Sequence, residues 1–218
     1  MDNKILTIVG MGPGVSYSVA QRFAKDGFKI AMIARNKQRL DDYKDEFEKM
    51  NFEVQGFPAD AEDESSLIST FEKIHETFGK TEVLLYNAFS MRVAKPAELN
   101  YEDFIKDFKI NVAGALVSSQ QVLPSMIEKK EGAILFTGGG TGLEPMPAYS
   151  SLGIGKAGIR NLCFSMFKDL KSKCIHVATV TITGFVKPGT KWDPDLIAEE
   201  FWKLYQQKPG EFEREIQI

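Results

Sequence analysis

Ile5-Leu6-Thr7-Ile8-Val9-Gly10-Met11-Gly12-Pro13-Gly14-Val15-Ser16 decides how this chain folds. An apolar run, Ile5–Val9, meets a glycine-rich turn that leads straight into a helical pattern at Val15–Asp26. Nearly continuous apolar runs of this length mark strands buried on both faces of a parallel sheet. Gly10, Gly12 and Gly14 let the backbone approach a ligand closely. The helix that opens at Val15 aims free N–H donors and a partial positive charge at the same place. The spacing is not G-x-G-x-x-G but G-x-x-x-G-x-[small], through Gly10, Gly14 and Ser16. No Gly-Lys-Ser/Thr follows, which excludes a P-loop. The turn is either a seat for the pyrophosphate of a dinucleotide or simply a tight turn. Its place between a first strand and a first helix favours the seat.

Outward from this stretch, short apolar runs alternate with helical patterns. Strands are predicted at Ile5–Val9, Lys29–Ile33, Glu53–Phe57, Val83–Tyr86, Ala133–Thr137, Val177–Ile182 and, more weakly, Glu213–Ile218. Helices are predicted at Val15–Asp26, Lys37–Met50, Glu64–Phe78, Tyr101–Lys129, Ala148–Lys173 and Pro194–Gln207. Gly27, Gly79 and Gly132 follow helical segments, where a left-handed cap is expected. This succession predicts an α/β fold with a doubly wound parallel sheet of about seven strands and right-handed crossovers. Repeats and linkers are lacking, so one Rossmann-type domain over residues 1–218 is expected.

Composition narrows the partners. Of 218 residues 43% are hydrophobic and 26% charged, with a formal net charge of −3, so no basic footprint for nucleic acid exists. No stretch approaches the ~20 apolar residues of a membrane helix. The two cysteines, Cys163 and Cys174, suggest buried thiols rather than a disulfide framework. A cytoplasmic protein without membrane or nucleic-acid partners is expected. No histidine or cysteine cluster suggests a metal site, since His75 and His176 fall far apart in the predicted topology.

The end of the second strand bears on the cofactor. An acid there would bind the ribose 2′-hydroxyl of NAD, whereas an arginine accommodates the 2′-phosphate of NADP. The chain reads Ala34-Arg35-Asn36-Lys37, with no acid. A planar guanidinium suits phosphate. Arg35 and Asn36 therefore favour NADP(H) over NAD(H); the other reading is a solvated Arg/Lys pair at a helix start.

Taken in order, these motifs resemble the short-chain dehydrogenase/reductase family. The turn at Gly10–Ser16 looks like its TGxxxGxG, with Val9 and Ser16 as departures. Asp60, beside Ala61, matches an aspartate that contacts the adenine in the family. Tyr86-Asn87-Ala88-Phe89 looks like a degraded NNAG that keeps Asn87 and Ala88 against the cofactor. Asn111 matches a helix asparagine that supports a water relay. Thr183-Gly184 stands where a proline-glycine turn closes over the nicotinamide. Lys156 matches the lysine that holds the nicotinamide ribose. The resemblance implies hydride transfer between a nicotinamide cofactor and a carbonyl or alcohol, usually by a homo-oligomer, a dimer or tetramer.

The departures fall where a proton would move. Leu152 stands at the family's tyrosine position, four residues before Lys156, and glycine (Gly138 or Gly139) at its serine. Leucine cannot transfer a proton, and such general acid–base help is typically worth ~10²–10⁴ in rate. Tyr149, three residues before Leu152, is the candidate replacement; its other reading is packing at the helix mouth. Thr137, Thr141, Ser150 and Ser151 offer hydroxyls but no tunable acid, and Glu144 reads as solvated. Phe185, Trp192 and Trp202 are candidate walls of a small substrate lid, with core packing as the competing role. On the helix after Lys156, Ile159, Leu162, Cys163, Met166 and Leu170 form a sheet-facing stripe. Phe164 and Phe167 lie off it, under a loop or against another subunit. Three functions compete: an oxidoreductase with Asn111, Lys156 and Tyr149 in its site, a non-catalytic NADP(H)-binding protein, and an unrelated enzyme on the same fold.

Overall fold

The computed structural model describes residues 4–218. Its seven parallel strands are β1 (Ile5–Val9), β2 (Lys29–Ala34), β3 (Val54–Pro58), β4 (Val83–Tyr86), β5 (Ala133–Gly139), β6 (His176–Ile182) and β7 (Glu215–Gln217). The order across the sheet is β3-β2-β1-β4-β5-β6-β7. Every neighbouring pair is parallel. Because strand order reverses between β1 and β4, a crevice must open beyond their C-terminal ends. The register puts Val9 beside both Ile33 and Tyr86, and Tyr86 beside Phe136. The segments that follow β1, β2, β4 and β5 thus converge on that crevice.

Helices cover both faces. One apolar core joins the sheet to α1 (Val15–Ala24), α2 (Lys37–Lys49) and α7 (Pro194–Gln206), through Val19, Phe23, Phe47, Ile197 and Phe201. The other joins it to α3 (Glu64–Thr77), α5 (Gly114–Lys129) and α6 (Ser150–Leu170), through Leu67, Phe71, Val122, Met126, Ile159 and Cys163. Burial of each such side chain contributes about 1.5–3 kcal/mol. Trp202 belongs to the first core, edge-on to Phe23 at 4.9 Å, and so is not a substrate wall. Gly27 and Gly79 carry positive φ (82° and 108°) just past their helices, as helix-terminating glycines do. Helix α5 instead ends on Lys130 in the left-handed conformation (φ 54°), and Gly132 lies beyond that cap.

The single helix expected over 101–129 is instead interrupted. Helix α4 (Tyr101–Phe108) passes into α5 through one π-helical turn, Lys109–Ala113. Tyr86 causes the departure: its buried hydroxyl donates to the carbonyl of Ile110 at 2.5 Å and presses on Gly114, where any Cβ would collide with it. A widened turn with its backbone bonds diverted to a side chain is how π-bulges arise, and they gather at functional sites.

The last strand is shorter than the predicted 213–218 run but lies where a final strand should, beside β6. Arg160 of α6 grips Glu215 with two 2.7 Å bonds, and Thr181 donates to the same carboxylate. Phe164 lies between the guanidiniums of Arg160 (4.4 Å) and Arg214 (4.3 Å), so the segment entering β7 covers it. Phe167 packs against the second core. The loop reading therefore accounts for Phe164 within one chain. Cys163 is buried, but Cys174 only partly so, against the expectation of two buried thiols. Among the described residues no helix is long and apolar enough to cross a membrane.

Candidate functional site

The crevice holds two adjoining cavities that share Pro13, Asn87 and Phe89. The first, about 480 Å³, runs over the ends of β1, β2 and β3. Its floor is the turn from Gly10 to Pro13. Gly10 has φ +89° and lies so tightly on the backbone of Ala88 that a Cβ there would overlap it. Its N–H and that of Met11 both donate to Ile33 at 2.9 Å, which ties the turn to β2. Gly14, also at positive φ (+85°), opens α1, and no side chain caps that helix. The first N–H groups of α1 thus remain available to an anion. Ser16, wholly buried, locks the turn: its hydroxyl accepts from Gly12 N–H at 2.9 Å and donates to Gly12 C=O at 3.0 Å.

Arg35 and Asn36 line this cavity, Arg35 as an exposed cation without an ion pair among the described residues. Asn36 has a second task, since its side chain caps α2 by accepting from Arg39 N–H at 3.1 Å. Arg39 lines the same cavity and went unnoticed in the sequence. Helical phase would have found it, because it lies one turn beyond Asn36. Asp60 and Ala61 form part of the wall, and one Asp60 oxygen accepts from Glu62 N–H at 3.0 Å.

The second cavity, about 710 Å³, runs over the ends of β4, β5 and β6. Lys156 reaches it from α6, its ammonium donating to the carbonyl of Thr137 at 2.8 Å. Burial lowers the Lys156 pKa to about 8. From there bonds run back to the first cavity. Thr137 donates to Asn87 at 2.8 Å, and the Asn87 amide donates to the carbonyl of Gly10 at 3.1 Å. Lys156, Thr137 and Asn87 therefore couple the two cavities.

Strand alternation settles which glycine faces the cleft. A Cβ on Gly138 would meet the hydroxyls of Thr181 and Thr179 at 2.5 and 2.7 Å, away from the cleft. One on Gly139 would touch the Lys156 stem at 3.2–3.4 Å. Leu152, Tyr149 and Lys156 line the cavity together. Tyr149 precedes the first residue of α6, and its backbone bridges Ala94. Thr141 and the exposed Glu144 also line this cavity. Ser150 and Ser151 are spent on structure, donating to Ala94 C=O at 2.8 Å and to Asp107 at 2.7 Å.

Asn111 lies in the π-helical turn, buried, outside the residues that line either cavity. Its amide clamps the backbone of Ser90, accepting at 2.7 Å and donating at 3.1 Å. Gly155 packs on it so closely that a Cβ would come within 2.6 Å. Asn111 thus sets the distance between the loop after β4 and the Lys156 helix. Asp107, missed in the sequence, does the same nearby. It is buried, with bonds from Ser90 (2.6 Å) and Ser151 (2.7 Å) and a longer one from Arg92 (3.4 Å). Burial pushes its pKa up, but these donors outweigh that and hold it below the ordinary carboxylate value.

Thr183 and Gly184 form the outer wall. Thr183 is held by Ile218, whose carbonyl accepts from Thr183 N–H at 2.8 Å and from its hydroxyl at 2.5 Å. Trp192 lies against Gly184 and donates to the same carbonyl at 3.2 Å. It braces the wall from behind rather than lining the cleft, which corrects its expected role. Phe185 does line it, 84% exposed at the mouth. Among the described residues no three His, Cys, Asp or Glu side chains gather to hold a metal ion.

Comparison with known proteins agrees with this anatomy. The family described as short chain dehydrogenase matches residues 4–195. A 3-oxoacyl-[acyl-carrier-protein] reductase of Thermotoga maritima is 25% identical over 200 residues, covering 91% of this chain and 81% of that protein. A short-chain dehydrogenase of Rhodopseudomonas palustris superposes with a TM-score of 0.90 at 24% identity, over 100% of this chain and 99% of that one. A metagenomic short-chain oxidoreductase in complex with NADP gives 0.91 at 18% identity, over 99% and 96%. At such identities these two structures speak for the fold.

Proposed function

Since the chain belongs to the short-chain dehydrogenase family, we propose that it is an oxidoreductase acting between NADP(H) and a carbonyl or alcohol. The observation that carries this reading is the pair of coupled cavities: an uncapped helix N-terminus over one and the Lys156–Thr137–Asn87 chain joining it to the other. The NADP held by the metagenomic relative supports the cofactor class.

In this reading Gly10 and Gly12 let the backbone pass close to the pyrophosphate, and Gly14 and Val15 offer it the free N–H donors at the start of α1. Arg35, with Arg39 and Asn36 beside it, receives the 2′-phosphate; Asp60, Ala61 and Ala88 bound the adenosine pocket. Lys156 and Asn87 hold the nicotinamide ribose, and Thr183 and Gly184 close over the ring. When bound, the cofactor supplies or accepts the hydride. In the reducing direction Tyr149 would give the substrate oxygen the proton it needs to become an alcohol. Solvent then returns the proton to Tyr149. Asn111 is a positioning residue, acting through Ser90 and Gly155. Exposed Phe108, Leu116 and Ile154 on successive helices support assembly as a homo-oligomer.

A second reading, a non-catalytic NADP(H)-binding protein, draws on Leu152 and Gly139, neither of which can move a proton. Titration with NADPH and NADH, followed by NADPH oxidation over a carbonyl panel, separates the two. Binding of NADPH at least about tenfold tighter than NADH is expected from charge-assisted bonds to Arg35. Equal affinities would remove the Arg35 argument. Turnover in the wild type that drops about 10²-fold in Tyr149→Phe is expected for the proton donor. Undiminished turnover in that variant would remove Tyr149 from the role.

A further inference from the structure

The cavity next to Lys156 is unusual in what walls it. Phe89, Met91, Leu143, Met146, Phe185 and Val186 are all large apolar side chains left exposed to solvent, and all six line this one cleft. They come from the segments after β4, β5 and β6, so the apolar surface surrounds the mouth. Contiguous exposed apolar surface on a soluble chain marks a binding surface. Leu152 extends it inward to Lys156.

Charge tells as much. Among the described residues Lys156 and Glu144 are the only formally charged side chains lining the cavity, and no arginine is among them. A substrate carboxylate or phosphate would find no guanidinium fork, would compete with the cofactor for Lys156, and would pass Glu144 at the rim. A neutral carbonyl needs only a hydrogen-bond donor at its inner end. The volume, about 710 Å³, lies within the ~300–1,000 Å³ of small-molecule sites, leaving room for a tail beside the reactive end of a cofactor. Two methionines at the mouth, Met91 and Met146, suit tails of variable shape because their side chains are unbranched and adaptable.

We infer that the cleft takes an uncharged carbonyl compound with an apolar tail, its oxygen beside Tyr149 and Lys156 and its tail along Met91, Met146 and Phe185. This rests on the oxidoreductase reading for the chemistry but not for the binding.

The test uses Nile red, a neutral polarity-sensitive dye, as probe for the NADP-bound protein. It is displaced by a series of straight-chain alkan-2-ones from butan-2-one to decan-2-one, and NADPH oxidation is measured with the same series. Each added methylene is expected to strengthen displacement about fourfold until the tail outgrows the cleft. Met146→Glu should weaken displacement by the longest ketone about tenfold while leaving far-ultraviolet circular dichroism unaltered. Displacement independent of chain length, or preferred turnover of short charged keto acids, overturns the proposal while leaving the oxidoreductase reading intact. Chain-length-dependent displacement with no NADPH consumption upholds the binding inference and counts against the oxidoreductase reading instead.

Discussion

Lys156 carries more consequence than any other side chain here. Its ammonium is held by one carbonyl, that of Thr137, and among the described residues it makes no ion pair. Burial lowers its pKa to about 8, so in the free protein it is charged at neutral pH and loses that charge as pH rises through about 8. In the proposed reading that charge helps to hold the cofactor ribose. NADPH affinity should therefore fall severalfold between pH 7 and pH 9, and Lys156→Met should weaken it about tenfold at pH 7 and flatten the pH dependence. A dissociation constant equally pH-dependent in the variant would assign the effect to another group. Leu152 makes the complementary case. Leu152→Tyr puts a phenol one helical turn before Lys156, and kcat/KM on a decanone should rise about 10²-fold. A variant that folds and binds NADPH yet shows no rise would mean that proton supply does not limit turnover.

Three elements meet at Asp107, and their arrangement depends on it. From α4 it reaches the loop after β4 through Ser90 and the start of α6 through Ser151. Replacing it with alanine strands the buried hydroxyl of Ser151 and the half-buried one of Ser90 and should cost about 2–4 kcal/mol in urea unfolding. The pH dependence follows from the sign of its shift. A carboxyl held below its unfolded value stabilises the fold above that value, near 4, and the stabilisation disappears as pH falls through the folded pKa. Asp107→Asn should therefore show a shallower loss of stability below pH 4 than the wild type. A parallel loss would place the acid sensitivity elsewhere. The π-helical turn between α4 and α5 belongs to the same joint. No periodicity in 101–129 announces it, because the cause is Tyr86, a residue of another element whose hydroxyl finds its partner only after the sheet has formed.

Across the chain as a whole, α/β alternation was plain in the sequence because strands buried on both faces are apolar throughout. The two-layer cover followed from the helices between them. Strand ends were less legible: β5 runs on to Gly139 and β6 begins at His176, extensions fixed by pairing rather than by local pattern. The candidate walls divided likewise. Phe185, Trp192 and Trp202 look alike as aromatic residues near the C-terminus, yet one lines the mouth, one braces Gly184 and one fills the core. Assembly is the remaining expectation at this level. Sedimentation equilibrium should report a dimer or tetramer, and a monomer at micromolar concentration would leave Leu116 and Ile154 as ordinary exposed residues.

The sequence by itself determined the parallel sheet, the glycine turn at its switch point and the cationic end of β2. Each is a local pattern whose meaning depends on neighbours in the chain. Only the tertiary structure decided that Gly139 rather than Gly138 faces Lys156, that Asn111 clamps Ser90 outside both cavities, and that six exposed apolar side chains from three loops wall one cleft. Those are matters of side-chain direction and of contacts between segments far apart in the chain. A pattern of neighbours cannot encode them, because the opposing surface exists only once the sheet and its helices have packed.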